Sequence, residues 1–374
     1  MGAPFRHDPA LEGTSGSYAP EDVRFLLSRV KVEPTPIAEK ERRIQSGETH
    51  YSEMISEERR PDASYLELFE NACVPGIPRL ATEIRALTER LIRLAGAGRL
   101  NPQITLCSLV RAGVPYGVLL RRDLRRLGAD VAHFGVSIIR DRGLDPVAMR
   151  RVIEERPVDG IIFVDGWTGK GAIASELERS WGEISGLSPI LAVVADPCGR
   201  AALCGSRDDW LIPSGILGGN VSGLISRSVL RPDLTGPDAF HGYVPLDHLT
   251  DIDLSRSFVD RVDALLERIT GPVSSDPDAA PWEAGRFRAA AETAVERIAE
   301  RYRIANMNRI KPGIAEATRA VLRRRPDHVL VRSGSGDPDL AALLHLCAQD
   351  GVPVVEAPEL TGPYRAVTLI RRTS

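Results

Sequence analysis

Apolar residues recur at helical spacing over 77–98 (Ile77, Leu80, Ile84, Leu87, Leu91, Ile92, Leu94), and the stretch closes on Gly96 and Gly98. That pattern predicts an amphipathic helix with a glycine stop. Beyond it the texture changes. Short apolar runs at 104–110, 132–139, 160–164 and 189–195 alternate with helical stretches at 116–127, 144–155 and 172–181. Runs that are apolar on both faces, joined through helices by short connections, predict a parallel sheet with helices on both faces. Before the sheet, 15–73 is polar and helix-prone, with loop signals at 32–36 and 59–61. After it, 208–229 is rich in Gly and Ser and reads as a strand with a loop-rich cap, followed by a helix over 255–269. The last ninety residues repeat the α/β texture on a smaller scale. Helices are expected at 282–302, 314–325 and 338–350, and strands at 328–331, 353–356 and 366–370. The expected organisation is a flexible leader (1–14), an α/β domain (15–270, with a helical N-terminal extension to about 100), a linker (271–284) and a small α/β domain (285–374).

Composition narrows the class. Hydrophobic residues are 43% and charged residues 26% of 374, as in soluble globular chains. The apolar runs are too short for a transmembrane helix, and the first residues lack the apolar core of a secretory signal. Gly2 does not make a myristoylation site, since Arg6 stands where Ser or Thr is needed. Five scattered cysteines with no C-x-x-C point to a reducing cytoplasm rather than to disulfides or structural zinc. The net charge of −3 hides a division: from 285 onward there are 15 basic and 10 acidic residues, against 33 and 41 before it. Only four of the 48 basic residues are lysines: Lys31, Lys40, Lys170 and Lys311.

Two turns carry candidate chemistry. The run IIFV (161–164) delivers Asp165, Gly166, Trp167, Thr168, Gly169, Lys170 and Gly171 to the carboxyl edge of the expected sheet, just before a helix. In open parallel sheets ligands gather at that edge, and a helix N-terminus offers free N–H groups to an anion. The spacing is not that of a Walker A loop: Gly166 is three residues before Gly169, and Gly171 replaces the Ser/Thr. The second turn, SLVRAGVPYG (108–117), brings Arg111, Ala112 and Gly113 to the same edge, where Gly113 is expected to take an unusual backbone angle.

These motifs resemble type I phosphoribosyltransferases: VDGWTGKG is similar to their PRPP loop and SLVRAGVPYG to their pyrophosphate loop. With SGSYAPEDVRFLL (15–27), HYSEMISEE (50–58), SIIRDRGLD (137–145) and IPSGILGGNVSGLISR (212–227), the chain resembles a bacterial phosphoribosyltransferase family of tellurium-resistance stress operons. That family also carries the label cysteine protease StiP. From Lys311 (KPGIAEATRAVLRRRPDHVLV) the chain is similar to a Pelota-like RNA-binding domain. The resemblance implies a type I phosphoribosyltransferase-like sheet. It also implies a glycosyltransferase that joins ribose 5-phosphate from PRPP to a nucleobase-like acceptor with release of pyrophosphate, using Mg²⁺ in a stress response.

By resemblance, Asp165 contacts the ribose and the metal, and Gly166–Gly171 hold the 5′-phosphate. Arg111, Ala112 and Gly113 hold pyrophosphate, and Arg140 and Arg142 root a catalytic loop. One departure stands out: the usual second acid is replaced by Gly166, and the loop is short. The alternative is therefore a PRPP- or nucleotide-sensing RNA regulator without turnover.

Weaker signals are Tyr51 (beside His50) and Asp196 as parts of a base pocket. Lys311, Arg319, Arg323, Arg324 and Arg325 are RNA-phosphate contacts, against the alternative of an arginine-rich surface. A homodimer is the candidate assembly. Proteolysis ranks last, because no local pattern joins Cys107 or Cys198 to His50, His133 or His241.

Overall fold

The computed structural model describes residues 13–273, 281–334 and 336–372. The expected leader lies outside it except for Gly13 and Thr14, and Thr14 bridges Phe25. The middle of the expected linker, 274–280, also lies outside the described residues.

Six parallel strands form the main sheet: β1 (Arg24–Phe25), β2 (Gln103–Leu109), β3 (Asp130–Val136), β4 (Ile161–Trp167), β5 (Leu191–Ala195) and β6 (Leu203–Ser206), in spatial order β1-β3-β2-β4-β5-β6. Alternate side chains of each strand enter different cores. Leu106, Ile162, Val164, Ala192 and Val194 face helices α2 (Ala63–Gly96), α3 (Val114–Arg126) and a later helix, Ser255–Leu266. Cys107, Leu109, Phe163, Leu191 and Val193 face α4 (Pro146–Glu155) and α5 (Ala172–Ser185), where Phe163 meets Trp181 edge-on at 5.1 Å. Burial on both faces explains why these strands read as continuous apolar runs.

The N-terminal stretch holds more order than its polarity suggests. Before α2 come β1 and α1 (Ile37–Ser46), and α2 begins 14 residues earlier than the periodicity implies. The second apolar run stops pairing in the sheet at Val136, so the strand expected over 132–139 ends earlier; Ile138–Ile139 instead pairs with Gly143–Leu144 in a small hairpin. Among the described residues, 208–229 forms short helical turns rather than a strand.

Four longer helices follow α5: α6 (Ser255–Leu266), α7 (Pro281–Arg301), α8 (Ile314–Arg323) and α9 (Ala341–Gln349). The C-terminal unit has its own mixed sheet, β7-β10-β8-β9, built from β7 (Ile310–Pro312), β8 (Pro326–Val331), β9 (Val354–Glu356) and β10 (Ala366–Ile370). Helices α8 and α9 join the core shared with the main sheet, through Ile314, Ala317, Val321 and Leu346. Helix α7 covers the opposite side with Ala294, Val295 and Ile298, and this cluster includes Cys198 from the main domain. No described helix is long and apolar enough to cross a membrane.

Candidate functional site

Strand β4 runs on through Trp167, so Asp165 and Gly166 are strand residues and the turn proper is 168–171. Asp165 Oδ1 accepts its neighbour's Gly166 N–H at 2.8 Å, and burial pushes the carboxyl up to about 7. A Cβ on Gly166 would lie 2.5 Å from the Tyr116 ring, so the position has no room for a second acid. Asp165 alone, bonded to its own strand, does not fit the Mg²⁺ expected there. Among the described residues no group of three or more His, Cys, Asp or Glu could hold a metal ion. Gly113 also departs from expectation. Its φ of −73° is ordinary helical backbone, and the glycine is needed because a Cβ would meet Val164 O at 2.0 Å. Ala112 lies beside it, in the turn between β2 and α3.

The turn is capped by the C-terminal unit. Tyr364 Oη donates to Gly169 O at 3.0 Å, Lys170 Nζ donates to Met307 O, and Gly169 abuts Pro312. Thr168 Oγ1 donates to Asp196 Oδ1 at 2.6 Å. Asp196 is fully buried and also accepts from Arg200 N, Ala201 N and Arg207, so its oxygens are committed to the loop after β5. Gly171 adopts φ +85° and opens α5. Arg111 is buried and spans Glu58 and Ile225 O. Tyr51 Oη accepts Arg140 N–H at 2.8 Å, Arg140 Nη1 reaches Asn308 at 3.0 Å, and Arg142 is exposed.

The predicted RNA residues mostly turn inward. Lys311 is 5% exposed and 3.7 Å from Glu316. The Arg319 guanidinium lies 4.8 Å over the Trp167 ring, Arg323 meets Glu58 at 3.5 Å, and Arg324 pairs with Glu41. Arg325 is exposed. Lys311, Arg319, Arg323 and Arg324, with Arg140 and Arg142, line a cavity of about 730 Å³ between the two units. Sequence reasoning missed Lys40, Arg227 and Glu58, which face the same region from distant segments. The one available signal was Lys40, as one of only four lysines.

All five cysteines are free and buried. Burial holds the thiols of Cys73 and Cys198 up at about 12 and those of Cys204 and Cys347 at about 11, and it raises Cys107 further. Only Cys198 lines one of the four cavities described, a space of about 160 Å³ shared with Lys170, Arg200, Arg288 and Tyr364. Three imidazoles are instead bonded to serines: His133 to Ser108 (2.7 Å), His241 to Ser137 (2.8 Å) and His50 to Ser52 (2.8 Å).

The family described as tellurite-like stress resistance cysteine protease StiP matches residues 16–263, and the PELOTA RNA binding domain matches 289–372. Cysteine protease StiP of Acinetobacter baylyi is 45% identical over 375 residues, covering 96% of this chain and 95% of the relative. A solved structure described as an analysis of an invariant aspartic acid in HPRTs, glutamine mutant, is similar at 11% identity over 35% of this chain and 78% of its own, with a TM-score of 0.27. Phosphoribosyl transfer, and the glycosyltransferase class with it, is overturned: the family and the relative are both named as a cysteine protease. The type I phosphoribosyltransferase assignment of the sheet goes with it, leaving a mixed α/β fold with a parallel central sheet and a Pelota-like C-terminal domain. Matched along nearly its whole length, the chain belongs to the StiP family of stress-resistance proteins.

Proposed function

We propose that the protein is a cysteine peptidase of a stress response, with Cys198 as its nucleophile. The observation that carries this reading is position. Cys198 follows the carboxyl end of β5 and is the one cysteine that lines a described cavity, and that cavity also holds Lys170. Burial, with Lys311 and Arg140 nearby, pulls the Lys170 ammonium down to about 7, so its neutral amine is available as a base near neutral pH. The thiol gives its proton to Lys170 Nζ, and the sulfur attacks the peptide carbonyl. The proton then goes to the departing amine, and water releases the acyl group from sulfur.

As described, the thiol is dormant. It is 2% exposed and held protonated by burial. Helix α7 closes over it with Ala291, Glu292 and Val295. Catalysis on this reading requires that helix to lift, which lowers the thiol's pKa by admitting water.

The test is cleavage of a fluorescein-labelled casein by the full chain. Cys198→Ala is expected to abolish it, Cys204→Ala to retain it, and Lys170→Met to reduce it about a hundredfold or more, as loss of a general base does. Cleavage by Cys198→Ala at the parent rate ends the assignment.

For the C-terminal domain, the Pelota match over 289–372 supports RNA as a partner. Retention of RNA by the full chain should weaken as salt rises. Absence of retention at low salt removes that partner.

A further inference from the structure

The cavity between the two units is lined by nine Lys and Arg side chains against five Asp and Glu. Several of those cations have no anionic partner. Lys40, on α1, is 9% exposed, and its side chain makes no hydrogen bond or ion pair with a described residue. The Arg142 guanidinium makes none either. Arg227 donates only to the backbone carbonyls of Tyr51, Met54 and Ser228. Arg319 rests on the Trp167 ring, and its Nε, like that of Arg140, is buried without an acceptor. The nearby acids are largely engaged: Glu41 with Arg324, Glu316 with Lys311, Asp141 at 4.0 Å from His50.

A chain that used this contact only to dock its domains would match these charges or replace them with apolar groups, since buried unpaired cations cost stability. We propose that the cavity is a binding site for a compact polyanion carrying a triphosphate group, held between the domains by Lys40, Arg140, Arg142, Arg227 and Arg319. This goes beyond the peptidase reading and does not depend on it.

Three physical points select that ligand class. The lining has four more cations than anions, so a single carboxylate leaves most of the charge uncompensated, whereas a triphosphate supplies about four negative charges in one small group. Guanidinium forks suit phosphate oxygens, and four of the five named side chains are arginines, three of them partly buried. A volume of about 730 Å³ falls within the range of small-molecule sites. Burial, with the other cations around them, pulls Lys40 down to about 8, Arg319 to about 9 and Arg227 to about 10; a bound anion reverses that repulsion and stabilises the closed pair of domains. Inorganic triphosphate and the triphosphate of a nucleotide share this chemistry.

The experiment is thermal unfolding and calorimetric titration of the full chain with sodium tripolyphosphate, with adenosine triphosphate free of divalent metal, with potassium chloride at matched ionic strength, and with a single-stranded RNA 12-mer. Saturable stabilisation by tripolyphosphate or the nucleotide, beyond that of chloride, is expected; the tighter of the two identifies the source. Arg142→Gln, at an exposed and unpartnered position, should weaken binding roughly tenfold with little change in the free protein's melting temperature. Lys40→Met should weaken it at least as much and raise the melting temperature of the free protein, because it removes a charge with no partner. A structural role for Lys40 would lower it. Equal stabilisation by chloride, parent affinity in Arg142→Gln, or binding of the RNA alone overturns the site.

Discussion

Gly166 shows how a residue's chemistry can be misread when its neighbours are unknown. Beside Asp165 it looks like the place of a lost acid, but the Tyr116 ring fills the space a side chain would need, and Tyr116 is fixed by a 2.6 Å bond to Ser214. Gly166→Asp is therefore expected to destabilise the protein by roughly 1–3 kcal/mol or more through overpacking, read as a lower urea midpoint. Asp165 itself gives a pH signature. Its folded carboxyl holds a proton to about pH 7, whereas the unfolded one releases it near 4. The stability this group contributes is thus present below about pH 4 and lost as pH climbs through 7. Asp165→Asn removes that loss. The variant should be more stable than its parent at pH 8, by about 1 kcal/mol because the carboxyl keeps some contact with water, and indistinguishable near pH 4. Urea titrations at the two pH values check this; a constant difference at both would mean that Asp165 does not titrate as described. What the sequence disclosed at this scale was that 165–171 lies at the carboxyl edge of a strand. The Tyr116 contact, from a helix some fifty residues away, left no local trace.

Helix α2 sets the limit of legibility for the elements. Its apolar periodicity was readable from Ile77, but the helix starts at Ala63 and passes through Pro75 and Pro78. Each proline removes a backbone donor, and so the sequence reads as a break. Tertiary packing overrides that: Gly76 lets the helix approach Pro213 so closely that a Cβ would lie 2.5 Å from its ring. The same helix hides a buried charge. Arg85 is 6% exposed, grips Asp123 of α3 through two bonds of 2.9 and 2.8 Å, and also donates to Leu266 O and Ile269 O at the end of α6. One guanidinium thereby ties three helices on one face of the sheet, and it satisfies carbonyls that the end of α6 leaves open. From the pattern alone it reads as a surface arginine, because charged residues at core positions carry no periodic signal. Arg85→Ala leaves Asp123 with only Arg126 and is expected to cost about 3–5 kcal/mol. Arg85→Lys should recover only part, since an ammonium cannot reproduce the paired bonds. Equal midpoints for Arg85→Ala and the parent would show that water replaces the guanidinium without loss.

For the whole molecule, the count of charges revealed a basic C-terminal unit but not where its charge points. Much of it faces inward, and its most heavily paired residue, Arg365, joins the two units. Arg365 donates to Asp209 O (2.6 Å) and reaches Asp208 (3.2 Å) in the main domain, while Asp337 (2.7 Å) and Asp339 (3.1 Å) hold it within its own. Asp209 completes the connection. Buried, its carboxylate accepts the Ile314 N–H at the start of α8 (3.0 Å) and the Arg365 N–H (2.7 Å), so an acid of one unit caps a helix of the other. Nothing in the local sequence DDW (208–210) announces partners more than a hundred residues away. With a shared apolar core behind it, this contact should make the two units melt together. Arg365→Ala removes the cation and leaves three acids facing one another across the contact, so the coupling should fall by roughly 0.5–3 kcal/mol, the range found for directly interacting sites. In scanning calorimetry the parent full chain is expected to unfold in one transition. The variant is expected to show two, and added salt should narrow their separation by screening the acids. A single transition at the parent's temperature in Arg365→Ala would mean that the apolar contact alone couples the units, and that the arginine only orients them.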